Sequence, residues 1–229
     1  MALHISHITA ALALMPDDDL AFSKKIASDV TDLALQTKAK VTLVSIFAGV
    51  LDAGVAAIGG VVDVDGRRLL VVGLDLQCCG DTPESAQEDR RRFEAQSIRS
   101  AIDAIAGSRD LDGIVVAGDF NAVQGSAPVD LLRAGPDAVT SLVAVEARHR
   151  GHDVQWTWSG EGTPFPSGRL DFVLHSGALV PLQTQVFDSE DLDASTQAAL
   201  GIAPGLSQSL SAHRPVVVDF GWRDGGRLP

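Results

Sequence analysis

Four side chains in this sequence could together perform hydrolytic chemistry: Asp119, Asn121, Asp171 and His213. Hydrolysis of a phosphodiester needs a base that takes a proton from water and donors that stabilise charge on the phosphoryl oxygens. A divalent metal commonly serves as Lewis acid. Asp119 could orient a water and accept its proton, and Asn121 could donate to the phosphate. His213 can donate to a phosphoryl oxygen or act as base, with Asp171 orienting the ring through its other nitrogen. Each residue also has a plainer reading. Asp119 and Asn121 could cap their own backbone in an Asx turn, Asp171 could pair with Arg169 two residues away on one strand face, and His213 could simply lead into Pro215.

Each of the four lies beside an apolar run that can hold it rigidly. The stretch GIVVAGDFN (113–121) reads as a buried strand, and Gly118 permits a bend at its end. Open α/β sheets place ligands at such strand ends. RLDFVLHSG (169–177) reads as another strand, carrying Arg169 and Asp171, and His213 directly precedes a final strand, Val216 to Phe220. Ahead of these, Ala56–Val64 and Arg68–Leu76 form a predicted hairpin across DVDGRR, whose Asp-Gly is a turn signal. Asp75 stands on its second strand between Leu74 and Leu76, which point to the opposite face.

The clearest helix is predicted for Ser85 to Ala106. Phe93, Ile98, Ala101, Ile102 and Ile105 form its apolar stripe beside a charged face, EDRRRFE. A short helix is expected over Pro128–Ala134, a short strand or helix over Val139–Val145, and a helical piece over Asp191–Leu200 within an otherwise polar segment. Near the N-terminus, Leu3–Leu14 could be strand or helix. Asp17, Asp18 and Asp19 read as the solvated start of a helix ending around Lys40, and Val41–Val50 reads as a strand. The fold class is therefore α/β of the α+β type, with mainly antiparallel or mixed strands.

Composition narrows the partners. The chain has 229 residues, which suits one large domain. Its 18 basic and 30 acidic residues give a net charge of −12, which disfavours broad binding to nucleic-acid backbones. A small phosphoester or a phospholipid head group is therefore preferred over long DNA or RNA. The two cysteines, Cys78 and Cys79, are adjacent and close no loop. They read as reduced thiols on a buried strand end. No run reaches the ~18 apolar residues of a membrane span, and the opening segment lacks a basic n-region. A cytoplasmic location is the default, with a removed secretion leader left open.

GDFN (118–121), TW (157–158), RLDFVL (169–174) and SAHRPV (211–216) resemble, in this order, the later motifs of the endonuclease/exonuclease/phosphatase family. LVVGLDLQCCG (70–80) and the helix after it resemble that family's central strand and helix. The resemblance covers roughly residues 55 to 221 of a single domain, 1–229. It implies a two-sheet α/β sandwich, with truncation on the N-terminal side left open, and phosphoester hydrolysis dependent on Mg²⁺ or Mn²⁺. By motif position it makes Asp119 the water-orienting base and a metal contact. It makes Asn121 a phosphate or metal-site contact, Asp171 the orienter of His213, and His213 the stabiliser of the transition state. Asp75 and Arg169 are candidate substrate contacts.

The sequence departs from the family pattern at three places. Ala212 replaces the Asp expected directly before the final His, Asp75 stands where many members carry a His, and the early Asn and Glu motifs are not found. No Glu precedes Glu84. Two outcomes stay open: a metal-dependent phosphoesterase with an unusual metal shell, and a family-fold domain with impaired or absent catalysis.

Overall fold

A computed structural model describes residues 40–43, 53–64, 66–80, 82–123, 125–137 and 140–223. The expected elements over Leu3–Leu14 and from Asp17 towards Lys40, and the remainder of the Val41–Val50 strand, lie outside these residues. In chain order the elements are β1 (Lys40–Leu43), β2 (Ala57–Val64), β3 (Arg67–Asp75), α1 (Ala86–Ser108), β4 (Gly113–Asp119), α2 (Ala127–Arg133) and β5 (Leu142–Ala144). There follow β6 (Asp171–Ser176), β7 (Leu179–Val186), a 3-10 turn (Ser189–Asp191), α3 (Ala194–Leu200), α4 (Leu206–Leu210) and β8 (Val216–Trp222).

The larger sheet has six strands in the order β1-β2-β3-β4-β6-β5, and β7 and β8 form a separate two-stranded sheet. Only the β3–β4 pair is parallel within the larger sheet, because α1 carries the chain back between them. The β2–β3 hairpin turns where DVDGRR predicts it: Gly66 takes φ +77° and its N–H donates to the Asp63 carboxylate.

Side chains alternate across the larger sheet and build two cores. Leu70, Val72, Leu74, Ile114, Val116 and Leu174 point towards the helices and meet Ile98, Ile102 and Ile105 of α1. Leu69, Val115, Ala117 and Val173 point the other way and meet Leu179, Val186, Val216, Val218 and Phe220 of the small sheet. The layers are thus helices, large sheet, small sheet, and β4 is covered on both faces. Burying each of the Val, Leu, Ile and Phe side chains among these contributes about 1.5–3 kcal/mol. No described helix is long and apolar enough to cross a membrane.

Several expectations change. The strand β7 and helix α4 lie where only a polar segment and a loop were expected, and Val139–Val145 yields the short strand β5. Phe93 leaves the predicted apolar stripe: it is 49% exposed, under the Arg90 guanidinium. The charged face of α1 is in turn partly buried, with Glu88, Arg91 and Glu94 all inside. Cys78 and Cys79 are exposed rather than on a buried strand end.

These last changes share a cause. After β3 the loop Gln77–Gly80 folds over the first turns of α1 and leaves backbone groups in need of partners. Arg91 donates to the carbonyls of Gln77 and Cys79 at 2.8 and 2.6 Å, and Glu94 accepts from the Gln77 N–H at 2.7 Å. Glu88 balances the buried Arg91 at 2.8 Å, and Ser85 caps the helix by accepting from the Glu88 N–H. The charges of EDRRRFE therefore hold the loop, and Cys78 and Cys79 sit on its outer side.

Arg91→Ala should cost about 3–5 kcal/mol in urea denaturation, since it leaves the buried Glu88 with only the longer 3.4 Å contact to Arg92 and removes the donor to the Gln77 and Cys79 carbonyls. Phe93→Ala, at an exposed position, should cost far less.

Candidate active site

The carboxylates are brought together by strand register. β3 and β4 pair with Asp75 beside Asp119, and β4 and β6 pair with Asp119 beside Asp171. The three aspartates stand in one row across adjacent strands, at the end of the sheet. The register depends on Gly118, which sits at φ +145°; a Cβ built there would lie 1.9 Å from the Leu74 carbonyl oxygen. Only glycine admits that approach.

Beyond β4 the chain turns sharply. Asn121 takes φ +45°, its N–H donates to Asp119 Oδ1 at 2.8 Å, and its carboxamide nitrogen donates to the Leu76 carbonyl at 2.8 Å. The Asx turn is therefore present, and it fixes the Asp119 carboxylate while Asn121 ties the end of β4 to the end of β3.

His213 comes from the other side of the sandwich, on the segment entering β8. Two hydrogen bonds flank it: Ser159 N–H to the Ala212 carbonyl at 2.8 Å, and Arg214 N–H to the Thr157 carbonyl at 2.6 Å. The WTW stretch thus lies between the His213 segment and Gly168, pairing with both. Thr157 is 1% exposed, and its hydroxyl oxygen accepts from the N–H groups of Leu170 and Asp171 at 3.0 and 2.8 Å. One residue therefore fixes the start of β6 and, through its carbonyl, the loop that bears the histidine.

In this frame His213 Nδ1 is 2.9 Å from Asp171 Oδ2, and Nε2 is 3.8 Å from Asp119 Oδ2. With Nδ1 facing a carboxylate, the proton on that nitrogen belongs to the contact, and Nε2 is turned towards Asp119. Burial lifts the Asp119 carboxyl to about 7, helped by the Asp171 charge and opposed by His213 and the Asn121 N–H. Burial would depress His213, but the hydrogen bond and charge of Asp171, with Asp119 and Asp75 behind, leave it above its ordinary value.

The other expected residues fall as follows. Asp75 joins the row and adds its charge to both Asp119 and His213. Arg169 does not take Asp171 as an ion-pair partner. Its guanidinium donates to the Val145 carbonyl and to Gln155, lies 3.8 Å from Glu146 and stacks over Phe172. Ala212 is exposed next to His213 and offers no ligand atom.

One ligand atom from each of Asp119, Asp171 and His213 can be chosen so that all lie within 4.8 Å of one another. Two carboxylates and an imidazole form an oxygen-rich donor set that suits a hard divalent cation. Burial first, and the Asp171 charge second, disfavour the ionised Asp119 carboxylate, and a bound cation would offset both.

The sequence matches the model of the Endonuclease/Exonuclease/phosphatase family over residues 38–213. The chain belongs to that family. The matched span contains β1 to α4 and ends on His213, so it holds all four candidate catalytic residues. Similar solved structures include an endonuclease/exonuclease/phosphatase from Bacteroides vulgatus, 20% identical over 73% of this chain and 55% of that one, with a TM-score of 0.48. The human Nocturnin catalytic domain is 15% identical over 73% of this chain and 53% of that one, TM-score 0.48. D. rerio TDP2 complexed with a single-strand DNA product is 15% identical over 79% of this chain and 66% of that one, TM-score 0.49. The chain thus spans little more than half the length of the first two. No curated protein matches it.

Sequence reasoning did not find the Thr157 hydroxyl as a support for Asp171. Its signal was present in the TW motif, but the role needs a contact across 14 residues.

In the metal-free protein both shifts act on stability in one direction. Asp119 and His213 each hold a proton more tightly folded than unfolded, so their contribution is full below their ordinary values and is lost as pH rises through the folded ones. For Asp119 that window runs from the ordinary value of 3.8 to about 7. Asp119→Asn should therefore raise Tm more at pH 8 than at pH 5 in chelator-treated protein, measured by thermal melts.

Proposed function

We propose that this chain is a divalent-metal-dependent phosphoesterase. The supporting observation is the convergence of Asp119, Asp171 and His213 at the end of the larger sheet, within 4.8 Å of one another. In this reading the metal is Mg²⁺ or Mn²⁺, held at Asp119 with Asp171 and His213 in reach. When bound it would supply Lewis-acid stabilisation of charge on the phosphoryl oxygens.

The remaining chemistry belongs to the side chains. Asp119, fixed by the Asn121 N–H and facing His213 Nε2, is placed to orient a water and accept its proton. His213 is held by Asp171 with Nε2 free of that contact, so it can donate a hydrogen bond to a phosphoryl oxygen as charge develops. Asn121 holds the end of β4 and stands as a phosphate or metal-site contact. Asp75 and Arg169 are the proposed substrate contacts, Asp75 from within the aspartate row. A net charge of −12 favours small phosphoesters or lipid head groups over long nucleic acid. Residues 1–229 are read as a single domain.

Ala212 supports a second reading, an enzyme of the same type with weakened turnover. It lies beside His213, exposed, where the family pattern places an aspartate.

With Mg²⁺ or Mn²⁺, the protein should hydrolyse a small phosphomonoester, a phosphodiester or a phosphocholine lipid faster than single-stranded DNA, and EDTA should stop the reaction. Asp119→Ala and His213→Ala should each lower kcat about 10²–10⁴-fold. No turnover on any of these substrates with either metal would overturn the main reading. Strong activation by Ala212→Asp would favour the weakened enzyme.

A further inference from the structure

We propose that Arg214, held by Asp188, is the positioning residue that fixes His213 against Asp171; its kinetic consequence rests on the phosphoesterase reading above. Both residues are charged and buried, 3% and 4% exposed, and lie outside the aspartate row. Arg214 Nε donates to Asp188 Oδ2 at 2.6 Å. Nη1 donates to the Ser211 carbonyl at 2.8 Å and reaches the His213 carbonyl at 3.4 Å, and Nη2 donates to Gln208 Oε1 at 2.7 Å. The guanidinium also faces the Trp156 ring, 5.4 Å from its centroid.

The side chain thus ties together three separate pieces of chain: Asp188, two residues after β7, Gln208 in the middle of α4, and the carbonyls on either side of Ala212. A planar fork with five donors can satisfy such a set at once, and a lysine cannot. Asp188 is in turn fixed by accepting from the Glu190 N–H at 3.1 Å. The His213 ring is 24% exposed and its close side-chain contact is Asp171. Its position therefore depends on its backbone, and Arg214 holds that backbone from both sides. The Arg214 N–H bonds to the Thr157 carbonyl, and Thr157 supports Asp171. That main-chain contact joins the backbone braced by the Arg214 side chain to the residue supporting Asp171, the other member of the 2.9 Å pair.

The test is the Nδ1–H proton of His213, observed by NMR of histidine-labelled protein at one fixed pH, alongside kcat and KM. Wild type should show a downfield Nδ1–H resonance that is absent from His213→Ala. Arg214→Lys and Asp188→Asn should shift it upfield or remove it, with circular dichroism unchanged. They should also lower kcat about 10–100-fold, as loss of an outer hydrogen-bond partner does, with KM held within about threefold. If either single variant fails to fold, the double variant Arg214→Gln/Asp188→Asn, which leaves no unbalanced buried charge, is read the same way. The proposal is overturned if wild type lacks the resonance, or if folded variants keep it unchanged. Loss of the resonance in a protein that hydrolyses nothing would support the positioning role and sink the phosphoesterase reading. Normal hydrolysis with an unchanged resonance would do the reverse.

Discussion

The close approach of β3 to β4 at Gly118 sets the geometry of everything downstream. With the Leu74 carbonyl where a Cβ would be, the last two pairs of the parallel ladder can close, and Asp75 comes level with Asp119. The antiparallel partner β6 then brings Asp171 level on the other side. A slip of one residue would send these side chains to the helix-covered face. There the carboxylates would face the apolar layer to which Leu74 and Leu76 belong instead of one another.

Placing like charges side by side is unfavourable, and the fold bears that cost where a cation or a proton can offset it. Burial, with the Asp171 charge beside it, raises the Asp119 carboxyl, and the same aspartates raise His213, which arrives from the segment leading into the smaller sheet. The loop after β3 shows the opposite strategy. Its charges, Glu88, Arg91 and Glu94, are matched to one another and to backbone groups, so they support structure without a ligand.

Much of this was legible in the sequence where chemistry and local pattern coincide. GIVVAGDFN, RLDFVL and SAHRPV each join a β-rich run to a polar residue at its edge, and the structure brings Asp119, Asp171 and His213 together. The hairpin and α1 followed from turn chemistry and periodicity. What could not be read depends on distant partners. The buried charges of α1 looked solvated because the carbonyls they serve belong to residues 12 and 14 positions away. β7 was hidden because its polar residues Gln183, Thr184 and Gln185 are exposed or half-buried on a two-stranded sheet, so its composition reads as loop. The thiols of Cys78 and Cys79 looked internal because they follow an apolar strand, yet the chain has already left the sheet when it reaches them.

The 2.9 Å contact between His213 and Asp171 joins residues that belong to different layers. Asp171 begins β6 in the larger sheet, while His213 leads into β8 of the smaller one. The contact is therefore a rivet through the sandwich. A displacement of one layer past the other by a single strand residue, about 3.3 Å, would exceed the length of the bond itself. The site consequently acts as a gauge of interlayer alignment, able to fail while both sheets keep all of their own hydrogen bonds.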